Sequence, residues 1–310
     1  MIRKAIITGG NGYVGSTALR QLLRDGVEVH AIANENSDRL AELLPSNCIH
    51  SISKDHKQVA AFVEVCQPDA IFHLAAIHAE PPSFDQMMAM LDASPLLGVA
   101  LLHGAAECKR PPVFVHAGTY WQFGENGYSP NTFYASAKQA LHDLLIYFRN
   151  SRNIPALTLV LYDIFGPADT RPKLWSTLLH AKPGSHLPLT EGRQRVELVH
   201  VEDAARAFVR AANLLSEGEP LGLFYAVRST ENITLRELLE TLKERAGLDL
   251  HFDWGAIEYW PGQIFEPWEG DFLPGWRPSV PLVDGIVELL RGAASSRLPE
   301  SIAALHNELP

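Results

Sequence analysis

Between residue 4 and about residue 162 the chain alternates short apolar runs with longer amphipathic ones, and few architectures accept that rhythm. The short runs are 4–8, 28–33, 48–52, 70–74, 113–117 and 156–162; the longer ones include 14–24, 58–66, 87–107 and 133–150. Apolar runs without a polar face suit strands covered on both sides, and a helix between consecutive strands makes each connection a crossover. Such crossovers are right-handed, so the alternation predicts an α/β fold, a doubly wound parallel sheet with helices on both faces. After Gly166-Pro167 the rhythm stops, and Pro, Trp and Gly become frequent, notably over 254–281. This part reads as a smaller, irregular C-terminal lobe. A strand over 195–199, a helix over 201–215 and a strand over 223–227 are expected to return to the first sheet, which makes the lobe discontinuous. The expected division is 1–165 plus 195–227 for the sheet domain, and 166–194 plus 228–310 for the lobe.

The first strand runs directly into Thr8-Gly9-Gly10-Asn11-Gly12-Tyr13-Val14-Gly15, which opens the first helix. Glycines 9, 12 and 15 fit a tight turn, close backbone approach to a pyrophosphate, and close helix packing. The phosphates would sit at the helix N-terminus, where free N–H groups and the helix dipole favour anions. The sheet is then of Rossmann type, with Gly9, Asn11, Gly12, Tyr13, Val14 and Gly15 around a dinucleotide. The second strand ends Ala31-Ile32-Ala33-Asn34, with Ala33 where an NAD site carries its acid for the adenine ribose. Without that carboxylate a 2′-phosphate is not repelled, and Ser37 and Arg39 follow closely enough to bind it. NADP is therefore favoured over NAD.

Tyr134 and Lys138 stand four residues apart in the 133–150 helix, so one turn places phenol and ammonium on the same face. A phenol titrates near pH ~10 and exchanges protons poorly at neutrality unless a cation stabilises its phenolate. Following a glycine loop, the pair becomes a candidate proton-transfer site. The formal charge of −10 argues against nonspecific nucleic-acid binding, which needs a basic surface. Any anionic ligand has to be held by helix N-termini and local arginines. No apolar run approaches the ~20 residues of a membrane span, and the start Met1-Ile2-Arg3-Lys4 is unlike a secretory signal, so a cytoplasmic location is expected. Cys48, Cys66 and Cys108 are odd in number and scattered; they read as small core residues, with neither a disulfide nor a metal site.

The glycine loop with its downstream Tyr and Lys resembles the extended branch of the short-chain dehydrogenase/reductase superfamily, the epimerases and dehydratases acting on nucleotide sugars. Phe72-His73-Leu74-Ala75-Ala76 resembles that family's fourth-strand signature, which implies Leu74, Ala75 and Ala76 beside the cofactor. Val113 to Gly124 resembles the fifth strand and its exit loop, and counting back from Gly124 implies Thr119 as the catalytic hydroxyl. The resemblance continues through 161–167, 197–203 and 273–278, almost the whole chain. It implies Tyr134 as general acid or base, Lys138 as the cation that lowers its pKa and holds the nicotinamide ribose, and Thr119 as a partner of the reacting oxygen.

Family dehydratases carry Asp-Glu after the catalytic Thr, whereas this chain has Tyr120-Trp121, so dehydration is disfavoured. Residues 119–122 and 169–174 resemble nucleotide-sugar 4-ketoreductases of the abequose-synthase type. Reduction of a keto group is therefore the leading expectation, with epimerisation on a retained NAD as the alternative. A cofactor-binding regulator without catalysis is the third reading. By position relative to the strands, His78, Trp121, Asp163, Arg171, Lys173 and Arg195 are the candidate substrate residues, the three basic ones facing a diphosphate. His200 precedes Val201-Glu202-Asp203, which looks like a helix start, and reads as structural. Three departures from the family pattern stand out: Val196 where relatives place Arg, Ser94-Pro95 where they place Asn, and no acid around Ser51 to Ser53, where relatives carry one near the adenine. The long apolar helices at 87 and 133 imply a homodimer, as in many relatives.

Overall fold

The apolar runs of the first half become the strands of one parallel sheet. In the computed structural model, which describes residues 2–34, 38–51, 55–124, 127–169, 171 and 174–295, these are β1 (Lys4–Thr8), β2 (Glu28–Ala33), β3 (Ile49–Ser51), β4 (Ala70–His73), β5 (Val113–Thr119) and β6 (Ala156–Leu161). A seventh strand, β7 (Phe224–Val227), completes the order β7-β6-β5-β4-β1-β2-β3. One face presents Ile7, Phe72, Val115 and Leu157 in register to helices α1 (Tyr13–Arg24) and, further along the chain, Val201–Glu217. The other presents Ile6, Ile71, Phe114 and Ala156 to α2 (His56–Cys66), α3 (Phe84–Glu107) and α4 (Phe133–Arg152). Phe72 and Phe114 are fully buried, and truncating either to Ala is expected to cost ~3–5 kcal/mol. The chain winds outward from β1 to β3 and then crosses back to β4 on the other side of β1. That reversal opens a crevice at the strand ends between β1 and β4, the usual seat of a ligand in such sheets.

Some expectations need correction. Of the two strands expected to return to the sheet, only Phe224–Val227 joins it. The 195–199 run breaks in two: Arg195–Val196 pairs antiparallel with Ile233–Thr234, and Leu198–His200 pairs parallel with Asp163–Phe165. Glu197, between the two pairings, turns toward Arg228 at 3.5 Å. The helix expected at 87–107 starts at Phe84, because Ser83 and Gln86 form a reciprocal capping box. It then passes through a π turn, Asp92–Leu96, around Pro95, which has no N–H for the α ladder. By length and composition this helix is apolar enough to cross a membrane, contrary to the reading that no such run exists, yet Leu101, Leu102 and Ala105 pack into the sheet core. Of the cysteines only Cys108 is buried; Cys48 and Cys66 are half-buried beside the core.

Candidate functional site

The glycine loop is built so closely that side chains are excluded. Gly9 has φ +70°, and a Cβ there would lie 2.7 Å from the Ala75 nitrogen across the crevice; one on Gly15 would collide with the Gly9 carbonyl. Among the described residues no side chain caps α1 at Gly12, which leaves the first-turn N–H groups available to an anion. This cradle fits a dinucleotide pyrophosphate. It forms one end of a cleft of about 910 Å³ that continues past Leu74, Ala76, Thr119, Tyr134 and Lys138 to Arg195 and Gln263 in the lobe. Asn11 is exposed at the loop tip, and its carbonyl accepts a hydrogen bond from Arg39 at 3.2 Å, which places that guanidinium beside the cradle. Ser37 lies outside the described residues.

Thr119 ends β5, and its position is braced through α4. Its N–H donates to Gln122 Oε1 at 2.8 Å, Gln122 Nε2 donates to Gln139 Oε1 at 2.6 Å, and Gln139 Nε2 donates to Asp143 Oδ1 at 2.9 Å. Tyr134 sits in the first turn of α4, which Thr132 caps by accepting from the Ala135 N–H. Lys138 lies one turn deeper, 1% exposed, with its Nζ 5.8 Å from the Tyr134 ring centroid. The expected acidification of Tyr134 is not what this arrangement produces. Burial pushes the phenol up to about 12, offset only by Arg171, and burial brings Lys138 down to about 7. The Lys138 Nζ stands off the ring and makes no hydrogen bond to the phenol, so burial sets the direction.

Beneath the crevice a buried chain fixes the first turn of the cradle. Ser94 offers only a carbonyl to His73 Nε2 (3.1 Å), so that nitrogen carries the proton, and Nδ1 accepts from the Thr8 hydroxyl at 2.7 Å. Thr8 Oγ1 in turn accepts from the Ala75 N–H at 3.2 Å, next to Gly9. Ser94, at the place of the expected Asn, thus supports the site through its backbone and through His73. Burial and the Lys138 charge hold His73 neutral, down to about 3.

The substrate candidates divide. His78, Trp121 and Tyr134 form an aromatic wall, with His78 5.4 Å from Trp121 and edge-on to Tyr134 at 5.3 Å. Asp163 lines the cleft beside Tyr120, whose phenol is pushed upward by burial and, second, by the Asp163 charge. Arg195 also lines the cleft but is paired with Glu266 at 3.1 Å. Arg171 turns instead toward the cofactor end: Asp169 holds it with two bonds of 2.7 Å, and it stacks on the Tyr13 ring at 4.6 Å. Lys173 lies outside the described residues. His200 caps the helix that follows it, accepting from the Glu202 N–H at 3.3 Å.

Sequence reasoning missed Gln122, Glu197 and His142. The signal for His142 was present, since it continues the spacing of Tyr134 and Lys138 by another four residues. Glu197, with its Oε2 buried and unpartnered, is raised to about 7 by burial despite Arg228.

A switch-point crevice floored by a side-chain-free glycine cradle defines a dinucleotide-binding protein of the Rossmann type. The chain belongs to the NAD dependent epimerase/dehydratase family, whose model matches residues 5–224. It is 25% identical over 301 residues to the CDP-abequose synthase of Salmonella typhimurium, covering 92% of this chain and 97% of that one. The dTDP-glucose 4,6-dehydratase of the same organism is 24% identical over 241 residues, 66% of this chain and 67% of that one. Among solved structures, UDP-glucose 4-epimerase from Thermotoga maritima matches with a TM-score of 0.76 at 20% identity, covering 94% of this chain and 99% of that chain. At such identity the structural likeness speaks to the fold.

Proposed function

We propose that the protein is an NAD(P)-dependent ketoreductase that reduces a keto group, at C4, of a nucleotide-diphospho-sugar. The observation that carries this reading is that Tyr134, the buried Lys138 and the braced Thr119 line one cleft, which reaches the lobe. When bound, the nicotinamide supplies the hydride. Tyr134 donates a proton to the developing alkoxide, Thr119 Oγ1 hydrogen-bonds the same oxygen, and Lys138 steadies the phenolate left behind. The likeness to CDP-abequose synthase along nearly the full chain supports reduction, and Tyr120-Trp121 offers no acid–base pair for dehydration. Ala33 and Arg39 support NADP: no carboxylate ends β2, and the Arg39 guanidinium stands at the cradle.

One observation favours the alternative, an epimerase that keeps its NAD. Arg171, stacked on Tyr13, is tied to the cradle, and such a tie would slow cofactor exchange. A non-catalytic regulator is the least supported reading, because Tyr134 and Lys138 are both kept. Mixing the protein with NADPH and a 4-keto sugar nucleotide should oxidise the NADPH, and Tyr134→Phe should lower turnover at least ~100-fold. Isolation with stoichiometric NAD and no NADPH consumption would instead establish the epimerase. Near-normal turnover of Tyr134→Phe would remove Tyr134 from the chemistry. We also propose a homodimer through α3 and α4, where Phe84, Met88, Leu96, Leu144 and Tyr147 stay exposed.

A further inference from the structure

The sheet face that packs on α4 carries two successive register rows of opposite character. The first is apolar, Ile6, Ile71, Phe114 and Ala156; two residues nearer the strand ends the row reads Thr8, His73, His116 and Thr158. All four are fully buried. Helix α4 lays a matching stripe over this row, because Tyr134, Lys138 and His142 recur every four residues. Hydrogen bonds close the two ends of the row, Thr8 with His73 and His142 Nδ1 with Thr158 Oγ1 at 2.8 Å. Around it, both ring nitrogens of His116, Lys138 Nζ, His142 Nε2 and Ser94 Oγ make no hydrogen bond among the described residues. His116 stacks on His73 at 5.7 Å and lies against the Lys138 turn, and the Lys138 charge bears on both rings. A buried polar atom left bare costs ~1–3 kcal/mol, and a bare ammonium costs more. Water is a partner of the right chemistry for such atoms, since each molecule makes two to four hydrogen bonds in a polar site.

We propose that His116 is a positioning residue for Lys138, sharing ordered water with it inside this layer so that the amine stays an ammonium beneath Tyr134. Burial alone brings Lys138 down to about 7, and water anchored by imidazoles returns acceptors to it. Those imidazoles are kept neutral by burial and by Lys138 itself in His73 and His116, and by burial in His142. The titratable groups facing the amine are His73 from β4, His116 from β5, and Tyr134 and His142 from its own helix; α3 and β6 contribute the hydroxyls of Ser94 and Thr158. The consequence for catalysis rests on the proposed roles of Tyr134 and Lys138, but the test does not require turnover.

The test is the pH titration of Lys138 by NMR in protein labelled at lysine Cε and Nζ, its signal identified by its loss in Lys138→Met. Lys138 should remain an ammonium above about pH 8 in the wild type, and His116→Phe should lower its midpoint by about one pH unit or more. His116→Gln, which keeps a donor and an acceptor, should recover most of that shift. Equal midpoints in wild type and His116→Phe, or a wild-type midpoint already near 7, overturn the proposal. If His116→Phe fails to fold, Ser94→Ala, which removes one hydroxyl of the layer, should lower the midpoint by about half a unit, and no shift overturns it equally. Turnover that survives Tyr134→Phe would defeat the functional reading while leaving this titration result intact.

Discussion

Single side chains set what the cleft is expected to do. Tyr134 and Lys138 were legible in the sequence because a helix converts a spacing of four into a shared face. Gln122 was not, because its meaning depends on Gln139 and Asp143, which only the docking of α4 on β5 brings within reach. Replacing Gln122 by Leu strands the Thr119 N–H and the Gln139 carbonyl in a buried place, at ~1–3 kcal/mol for each. The expected result is a melting point lower by several degrees and turnover reduced about tenfold, read by calorimetry and steady-state rates. Turnover unchanged despite a lower melting point would confine the brace to stability. Arg39 makes a separate prediction. Arg39→Ala should weaken NADPH binding about tenfold and leave NADH binding nearly unchanged, as measured by fluorescence titration; equal losses for both cofactors would count against a 2′-phosphate contact.

Elements explain where the sequence reading held and where it gave way. The inner strands of the first half were readable because β1, β4, β5 and β6 are buried on both faces and so are mostly apolar. The 195–199 run looked like one more such strand, but its local pattern could not reveal that its pairing partner changes at Glu197. Burial raises the Glu197 carboxyl from its ordinary 4.5 to about 7, above its value in the unfolded chain. Between those values the folded protein binds more protons than the unfolded one, so this group's contribution is complete below about pH 4.5 and lost as the pH rises through about 7. Glu197→Gln removes the titration. Its melting point relative to wild type should therefore rise from pH 5 to pH 8; a constant difference would show that Glu197 titrates alike in both states. The π turn in α3 belongs to this scale too, since Pro95 gave warning of a break but not of which carbonyl it would present to His73.

At the scale of the whole molecule, the parallel sheet and the cradle followed from alternation and glycine spacing, while the strand order and the shape of the lobe did not, because Pro- and Trp-rich loops take their shape from what they pack against. The exposed apolar side chains of α3 and α4 should be covered in solution. Light scattering is expected to give twice the chain mass, and Phe84→Glu combined with Tyr147→Glu should give the single mass; a wild-type monomer at micromolar concentration would exclude the dimer. Finally, the Arg171 stack on Tyr13 joins the part of the cleft assigned to the cofactor with the loop that leads to the lobe. On the proposed function, a sugar nucleotide seated against that loop closes the way out for the dinucleotide. The two ligands then follow a compulsory order, cofactor first in and last out, and a nucleoside diphosphate should inhibit uncompetitively against NADPH.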